Sequence, residues 1–551
     1  MQFLKHASSS EPLPPEFSLE SSRGKPASGC PVSRYNAAVT ALIAASIFLS
    51  SLMFFAHVGA DVPILRELRG YIYYGGWVNN IRWFDAVLRR TGSLGSEKRI
   101  VIMLFMGLER NICGFGPRCL NHSQDILLAT AVLLLFLHVV QLFGSRRVGF
   151  IVSMLWCLSL AALEGALWQD TQFDKFAMIF GLLYLITLFH FLRRPVLLAF
   201  QYLVCNLLLL LLLFLAFKSK EFTFFLVPTT FLVLLIDGMK RGWKRPSYTG
   251  LLVLLPMIYG LYFIGYYMLH VPEGLHQHIS SGKMSTVIPK LSGMLLGYGD
   301  VLGTGNWGAD YERLAYPAAV LMIVTIVLIA ISFVAGLLGQ FRLCQAPSTV
   351  TVDALGTIAY LLGTLLFQMI ILARTLHPAA YYLLLPEGLF LSILAACAHF
   401  GIPGLPGRVD TTRRGVLLGL LSMSVLLSYL SQRTSGSSTY RMQYTGKIIN
   451  DSYAAIRVAV PPEQVKDAEF YFRGVIDGEW YLFYSLSSDN SDPELLSFVY
   501  EKLVPAAVTY TFEPRDPTAV VPAGRLQVVW RTNGSIQGIY LGGRAVFTPT
   551  W

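Results

Sequence analysis

Two lysines and a glutamate sit in the most apolar part of the chain. The stretch "AFKSKEF" (216–222) separates "LVCNLLLLLLLFL" from "FTFFLVPTTFLVLLI". Lys218 and Lys220, this close together, can hold an anion. A phosphate at a membrane surface suits them, since each charge-assisted hydrogen bond is worth roughly 1.5–3 kcal/mol. Snorkelling of the lysine heads to lipid headgroups is the plainer alternative, and it accounts less well for Glu221 beside them. Asp61, in "FFAHVGADVPI", is either a helix-end charge or a general base at the mouth of a membrane-embedded site. The turn "EGALWQDTQFDK" adds Glu164, Trp168, Asp170, Asp174 and Lys175. Its acids are either incidental, being weakly constrained by topology, or a second carboxylate facing Asp61. "LARTLHPAAYYLLLPEGL" supplies Arg374, His377, Tyr381, Tyr382 and Glu387. Arg374 and His377 suit a phosphate or sugar, and equally an interfacial anchor with the tyrosines. Glu387 falls inside an apolar run, where an ionisable group is functional or paired.

These residues need a scaffold, and composition names its class. Of 551 residues, 54% are hydrophobic and 14% charged, against about 25% charged in soluble domains. Apolar runs of roughly 20 residues recur, the length that crosses a hydrocarbon core. The fold expected is a polytopic α-helical membrane protein with about 11 transmembrane helices. The expected spans are 36–58, 124–143, 148–167, 175–192, 196–216, 222–238, 249–269, 316–340, 353–373, 380–398 and 415–431. A β-barrel would show short alternating segments instead. Every second connection is basic: Arg146 and Arg147, Arg193 and Arg194, Lys240 to Arg245, Arg342, and Arg408 with Arg413 and Arg414. The positive-inside rule places these connections in the cytoplasm, with the N-terminal tail. The formal charge of +10 thus sets topology and does not indicate nucleic acid.

Residues 1–35 lack the apolar core of a signal peptide and read as a disordered cytoplasmic tail. Residues 36–431 form the transmembrane domain, with long outer loops at 59–123 and 270–315. Within the first loop, Lys98 to Leu108 has the amphipathic character of an interfacial helix. Residues 432–551 read as an extracytoplasmic α/β or mostly β domain. Its strand candidates are "AAIRVAV", "AEFYFRGV", "EWYLFYSL", "AAVTYTF" and "LQVVWRT". The expected location is the plasma (inner) membrane, multi-pass, with the C-terminus extracytoplasmic. No P-loop, HExxH or CxxC pattern is present.

In order and common outward side, these motifs resemble the GT-C glycosyltransferases, in the branch of protein O-mannosyltransferases and aminoarabinose transferases. "KRIVIMLFMGLERNICGFG" resembles the family's Arg-containing helix, with Arg99 the match. "GFGPRCLNHSQDILLATAVLLLFLHVV", with His122, resembles the element leading into its second span. "ALEGALWQDTQFDKFAMIFGLLYLI" resembles its acid-and-Trp turn, with Trp168, and "KSKEF" its "sKE" turn, with Lys220. The resemblance covers most of 36–430.

The resemblance implies transfer of a sugar from a polyprenyl-phosphate donor to an acceptor glycan, lipid or protein outside the membrane, with inversion. Asp61 would deprotonate the acceptor, with Asp170 or Asp174 as second acid. Lys218, Lys220, Arg99, Arg374 and His377 would stabilise the phosphate. Glu221 would position Lys220 through an ion pair, with His122, Glu387 and Trp168 in support. The family often shows two adjacent acids after the first span. Here Val62 follows Asp61, which argues against a divalent metal and weakens the base assignment. Cys113 and Cys119 flank "GFGPR" on the side expected to be oxidising; a disulfide and two free thiols are both open. Three other classes compete: a lipid-linked polysaccharide polymerase or ligase, a transporter, and an inactive GT-C scaffold. A transporter would carry charges at mid-membrane and show related halves, which are not visible.

Overall fold

The structure, a computed structural model, describes residues 31–59, 100–167, 171–192, 199–241, 253–270, 284–296, 309–343, 349–373, 380–402, 405–472, 495–504, 506, 508–511, 521–531 and 535–548. The chain divides into two compact units, Met1–Ile43 and Ala44–Trp551. The first contributes, among the described residues, the opening turns of helix α1 (Pro31–Val58); the rest of the expected tail lies outside the described residues.

The helices that follow are α2 (Ile100–Cys113), α3 (Pro117–Phe143), α4 (Arg146–Cys157), α5 (Leu160–Leu167), α6 (Gln172–Leu192), α7 (Ala199–Phe217) and α8 (Leu226–Arg241). They continue as α9 (Leu254–His270), α10 (Met284–Leu295), α11 (Ala309–Leu343), α12 (Thr349–Leu372), α13 (Leu384–His399) and α14 (Gly407–Gln432). Short 3-10 turns at Glu221–Phe225 and Ala380–Leu383 lead into α8 and α13. Among the described residues nine helices are long and apolar enough to cross a membrane, or ten if α4 and α5 count as one broken span. With the shorter α9, they account for all eleven expected segments. The protein is a multi-pass helical membrane protein. Where helices turn apolar side chains outward, as with Leu203, Leu207 and Leu211 on α7, each is 50–51% exposed; hydrocarbon satisfies such a face. The most enclosed span is the one ending in α13, 83% buried.

Several boundaries differ from the hydropathy reading, and α11 begins seven residues early at Ala309. Helix α3 starts at Pro117, where proline's fixed φ suits a first helical position after Gly116. Helix α14 starts at Gly407 because its polar first turns pair internally, Asp410 Oδ1 lying 2.8 Å from Arg413 Nη2. The expected third span is not one helix: α4 and α5 meet at a bend of 54°.

After α14 come α15 (Ser438–Ala459), strand β1 (Asp467–Phe472), helix α16 (Leu495–Tyr500), and strands β2 (Val508–Thr511), β3 (Arg525–Trp530), β4 (Ile536–Leu541) and β5 (Arg544–Phe547). The sheet order is β2-β1-β3-β4-β5, with β1 parallel to both neighbours and the β3–β5 pairs antiparallel. This C-terminal region is therefore α/β. Helix α15 lies on the sheet: Trp530 donates to Ser452 Oγ at 3.3 Å and stacks edge-on against Phe470. One strand expectation is corrected. In "AAIRVAV" residues 454–459 are helical, with Val460 turning extended behind them: Tyr453 and Ile456 are buried one turn apart while Val458 is 89% exposed; a strand would bury 456 and 458 together. "EWYLFYSL" lies outside the described residues.

Candidate functional site

Helices in a bundle alternate in direction, so one end collects the starts of α3, α6 and α13 with the ends of α1, α5 and α7. The lysine turn sits there. Helix α7 closes with Lys218 N–H bonded to Phe214 O at 2.9 Å and Lys220 N–H to Ala216 O at 3.2 Å. Lys220 then turns extended (φ −156°, ψ 142°) and heads the 3-10 turn. Both lysines point inward, which excludes snorkelling: Lys218 is 2% and Lys220 7% exposed. The Lys218 ammonium lies 5.0 Å from the Phe263 ring of α9. Lys220 Nζ donates to Asp174 Oδ2 at 3.2 Å and lies 4.9–5.6 Å from the rings of Tyr382, Phe222 and Phe173. Three segments separate in sequence thus converge: the start of α6, the lysine turn, and the 3-10 turn before α13. The ion pair expected from Glu221 is made by Asp174 instead, because Glu221 lies half-buried at the first position of the 3-10 turn while Asp174 faces the ammonium.

Beside this pair lies a polar cluster that the sequence reading missed. Lys175 is fully buried and donates to Gln124 Oε1 at 2.8 Å. Gln124 in turn donates to Glu109 Oε1 at 3.2 Å, and Gln172 donates to Glu109 Oε2 at 3.0 Å. Ser123 Oγ also donates to Glu109. These bonds tie α2 to α3 and α6 through one buried carboxylate. The signal was present: Glu109 is a lone acid in the apolar run "IVIMLFMGLERNIC", and Asp125 is an acid inside the second span. A disulfide between Cys113 and Cys119 closes the α2–α3 turn. His122 is mostly exposed, its Nδ1 3.5 Å from Asp125 Oδ2.

Burial pushes the Glu109 carboxyl from its ordinary 4.5 up to about 7, against the lowering effect of its three side-chain donors and Lys175. A folded-state pKa raised above the unfolded one penalises the ionised fold. The penalty is absent below pH 4.5, grows across the window to pH 7 and is complete above it, at most about 3 kcal/mol. Thermal melts in detergent should therefore show stability falling between pH 5 and 8. Glu109→Gln should flatten that slope; an unchanged slope would show that another group sets it.

Two further buried acids have a different task. Glu387 Oε2 accepts from Ala161 N–H at 3.0 Å, in the first turn of α5. Glu164 Oε2, on α5, accepts from Ala380 N–H at 3.1 Å, where the turn before α13 begins. Each carboxylate satisfies a backbone donor that a helical start leaves unbonded: Glu387 of α13 caps α5, and Glu164 of α5 caps the 3-10 turn that leads into α13. Trp156 Nε1 adds a bond to Leu384 O at 2.7 Å. Glu387 thus supports the scaffold and does not face the lysine turn.

At the end of α1, Val58 O accepts from Gln443 of α15 at 2.9 Å and Gly59 O from Asn121 of α3 at 3.3 Å. A Cβ on Gly59 would stand 3.5 Å from Asp125 Oδ1, so the chain leaves α1 close against the polar cluster. Asp61, Arg99, Trp168, Asp170, Arg374 and His377 lie outside the described residues. Among the described residues no group of three or more His, Cys, Asp or Glu side chains is arranged to hold a metal ion. Comparison with protein-family models finds none that matches the chain, and comparison with curated proteins finds no significant match.

Proposed function

We propose that the protein is an inverting glycosyltransferase of GT-C type, moving a sugar from a polyprenyl-phosphate donor to an acceptor at the extracytoplasmic membrane face. The observation that carries this reading is Lys220: a buried cation at the bundle end, ringed by aromatic faces and hydrogen-bonded to a carboxylate. Asp174 engages one of the three ammonium protons, so Lys220 can take a second anion, and the "sKE" resemblance names a lipid phosphate. The basic connections belong to the opposite helix ends, as a cytoplasmic face requires.

In the reaction the acceptor oxygen forms a bond to the anomeric carbon as the carbon–oxygen bond to phosphate breaks on the opposite face. The acceptor proton passes to Asp61. The electron pair leaves with the polyprenyl phosphate, whose growing charge Lys220 and Lys218 stabilise in a site of low dielectric, with Arg99, Arg374 and His377 as further ligands.

Proteoliposomes given radiolabelled polyprenyl-phosphate hexoses and pentoses, with a total envelope extract as acceptor source, should transfer label. Asp61→Asn should slow transfer by about a hundredfold or more, the contribution of a general base, with donor affinity nearly unchanged. No transfer from any donor, together with no saturable binding of polyprenyl phosphate, would sink the reading.

A further inference from the structure

Resting on the assignment of Lys220 to the lipid phosphate, we infer that Asp174 is a built-in competitor for that phosphate. Its carboxylate and the lipid phosphate alternate on Lys220. The geometry around the ammonium sets this up. Asp174 Oδ2 is the one hydrogen-bond acceptor of Lys220 among the described residues, while Phe173, Phe222 and Tyr382 present ring faces. An ammonium has three protons to donate, so one carboxylate oxygen leaves capacity that a phosphate's oxygens fill. The rings hold the cation by its attraction to their faces, whichever anion it meets.

Asp174 keeps favourable surroundings when displaced. It stands in the first turn of the 21-residue helix α6, where the helix dipole favours an anion. Its chain neighbour Lys175 is fully buried, held by Gln124. Asp174 therefore stays in a positive field without Lys220, and the exchange does not strand a bare charge. The same carboxylate helps to end the cycle. The glycosylated donor is a phosphodiester with one negative charge; the polyprenyl phosphate left after transfer is a monoester with a second ionisable proton. The product thus binds a lysine more tightly than the donor does, and Asp174 returning to Lys220 opposes its retention.

The test uses the full chain in nanodiscs, with undecaprenyl phosphate as the probe. Asp174→Asn should tighten binding by about fivefold or more, since a competing charge is removed. Lys220→Met should weaken it by about tenfold or more. Weakening in Lys220→Met without tightening in Asp174→Asn overturns the competitor and leaves the phosphate site. A folded Lys220→Met that binds normally overturns the phosphate site itself. Should Asp174→Asn fail to fold, carbodiimide labelling of Asp174 in the unmodified protein decides. Labelling is expected to rise several-fold on saturation with undecaprenyl phosphate, and no rise refutes the exchange.

Discussion

Lys220→Ala is expected to abolish measurable sugar transfer and to destabilise the protein. Its ammonium carries the leaving phosphate in the proposed reaction, and losing one such stabilising donor costs about a hundredfold to a thousandfold in rate. The same change leaves Asp174, whose side chain is 5% exposed, without its lysine. Breaking a buried pair from one side costs about 3–5 kcal/mol, an upper bound here because Lys175 and the start of α6 still favour the anion. The two effects separate in the double variant Lys220→Met/Asp174→Asn. Removing both charges should recover most of the lost stability, read as the thermal midpoint in detergent, yet recover no transfer. A double variant with restored transfer would mean that Lys220 acts on the fold alone.

Glu387→Ala is expected to be the most damaging change away from the lysine turn. The Ala161 N–H lies inside a span, where no water replaces a lost acceptor. An unsatisfied buried donor costs about 1–3 kcal/mol. The truncated side chain leaves a cavity in the most enclosed span, which brings the expected loss to about 2–4 kcal/mol. Glu387→Gln keeps an acceptor oxygen and should stay close to the parent. Thermal midpoints of the three proteins in one detergent check this; equal losses in both variants would show that charge, not capping, is what Glu387 provides. Donor affinity should change little in either folded variant, because Glu387 does not face Lys220.

The two acids at 164 and 387 show where reading residues one at a time stops. From the sequence, Glu164 belongs to an acidic turn and Glu387 to an apolar run. Only the fold reveals that they exchange caps across α5 and the turn leading into α13, since the partners are 216 and 226 residues apart in the chain. The same holds for Lys220, which stood out in the sequence while its partner did not. Glu221 is adjacent in sequence, yet successive residues diverge where an extended backbone enters a 3-10 turn. Asp174 is 46 positions away and points at the ammonium.

Composition and hydropathy alone give the class of fold and the helix ends where charge gathers. Hydrocarbon length and the need to satisfy every backbone polar group internally leave long apolar runs no structure but helix. The eleven runs are thus legible as spans from hydropathy alone, and the costly charges mark the helix ends. Which charges meet is settled by helix packing. Helix packing brings Glu109, Gln124, Gln172 and Lys175 into one buried cluster and sets Lys220 against Asp174. Hydropathy records how far a segment must travel through the membrane and is silent on how each helix is rotated about its axis. That rotation, fixed by packing against neighbours, turns a list of ionisable residues into a site.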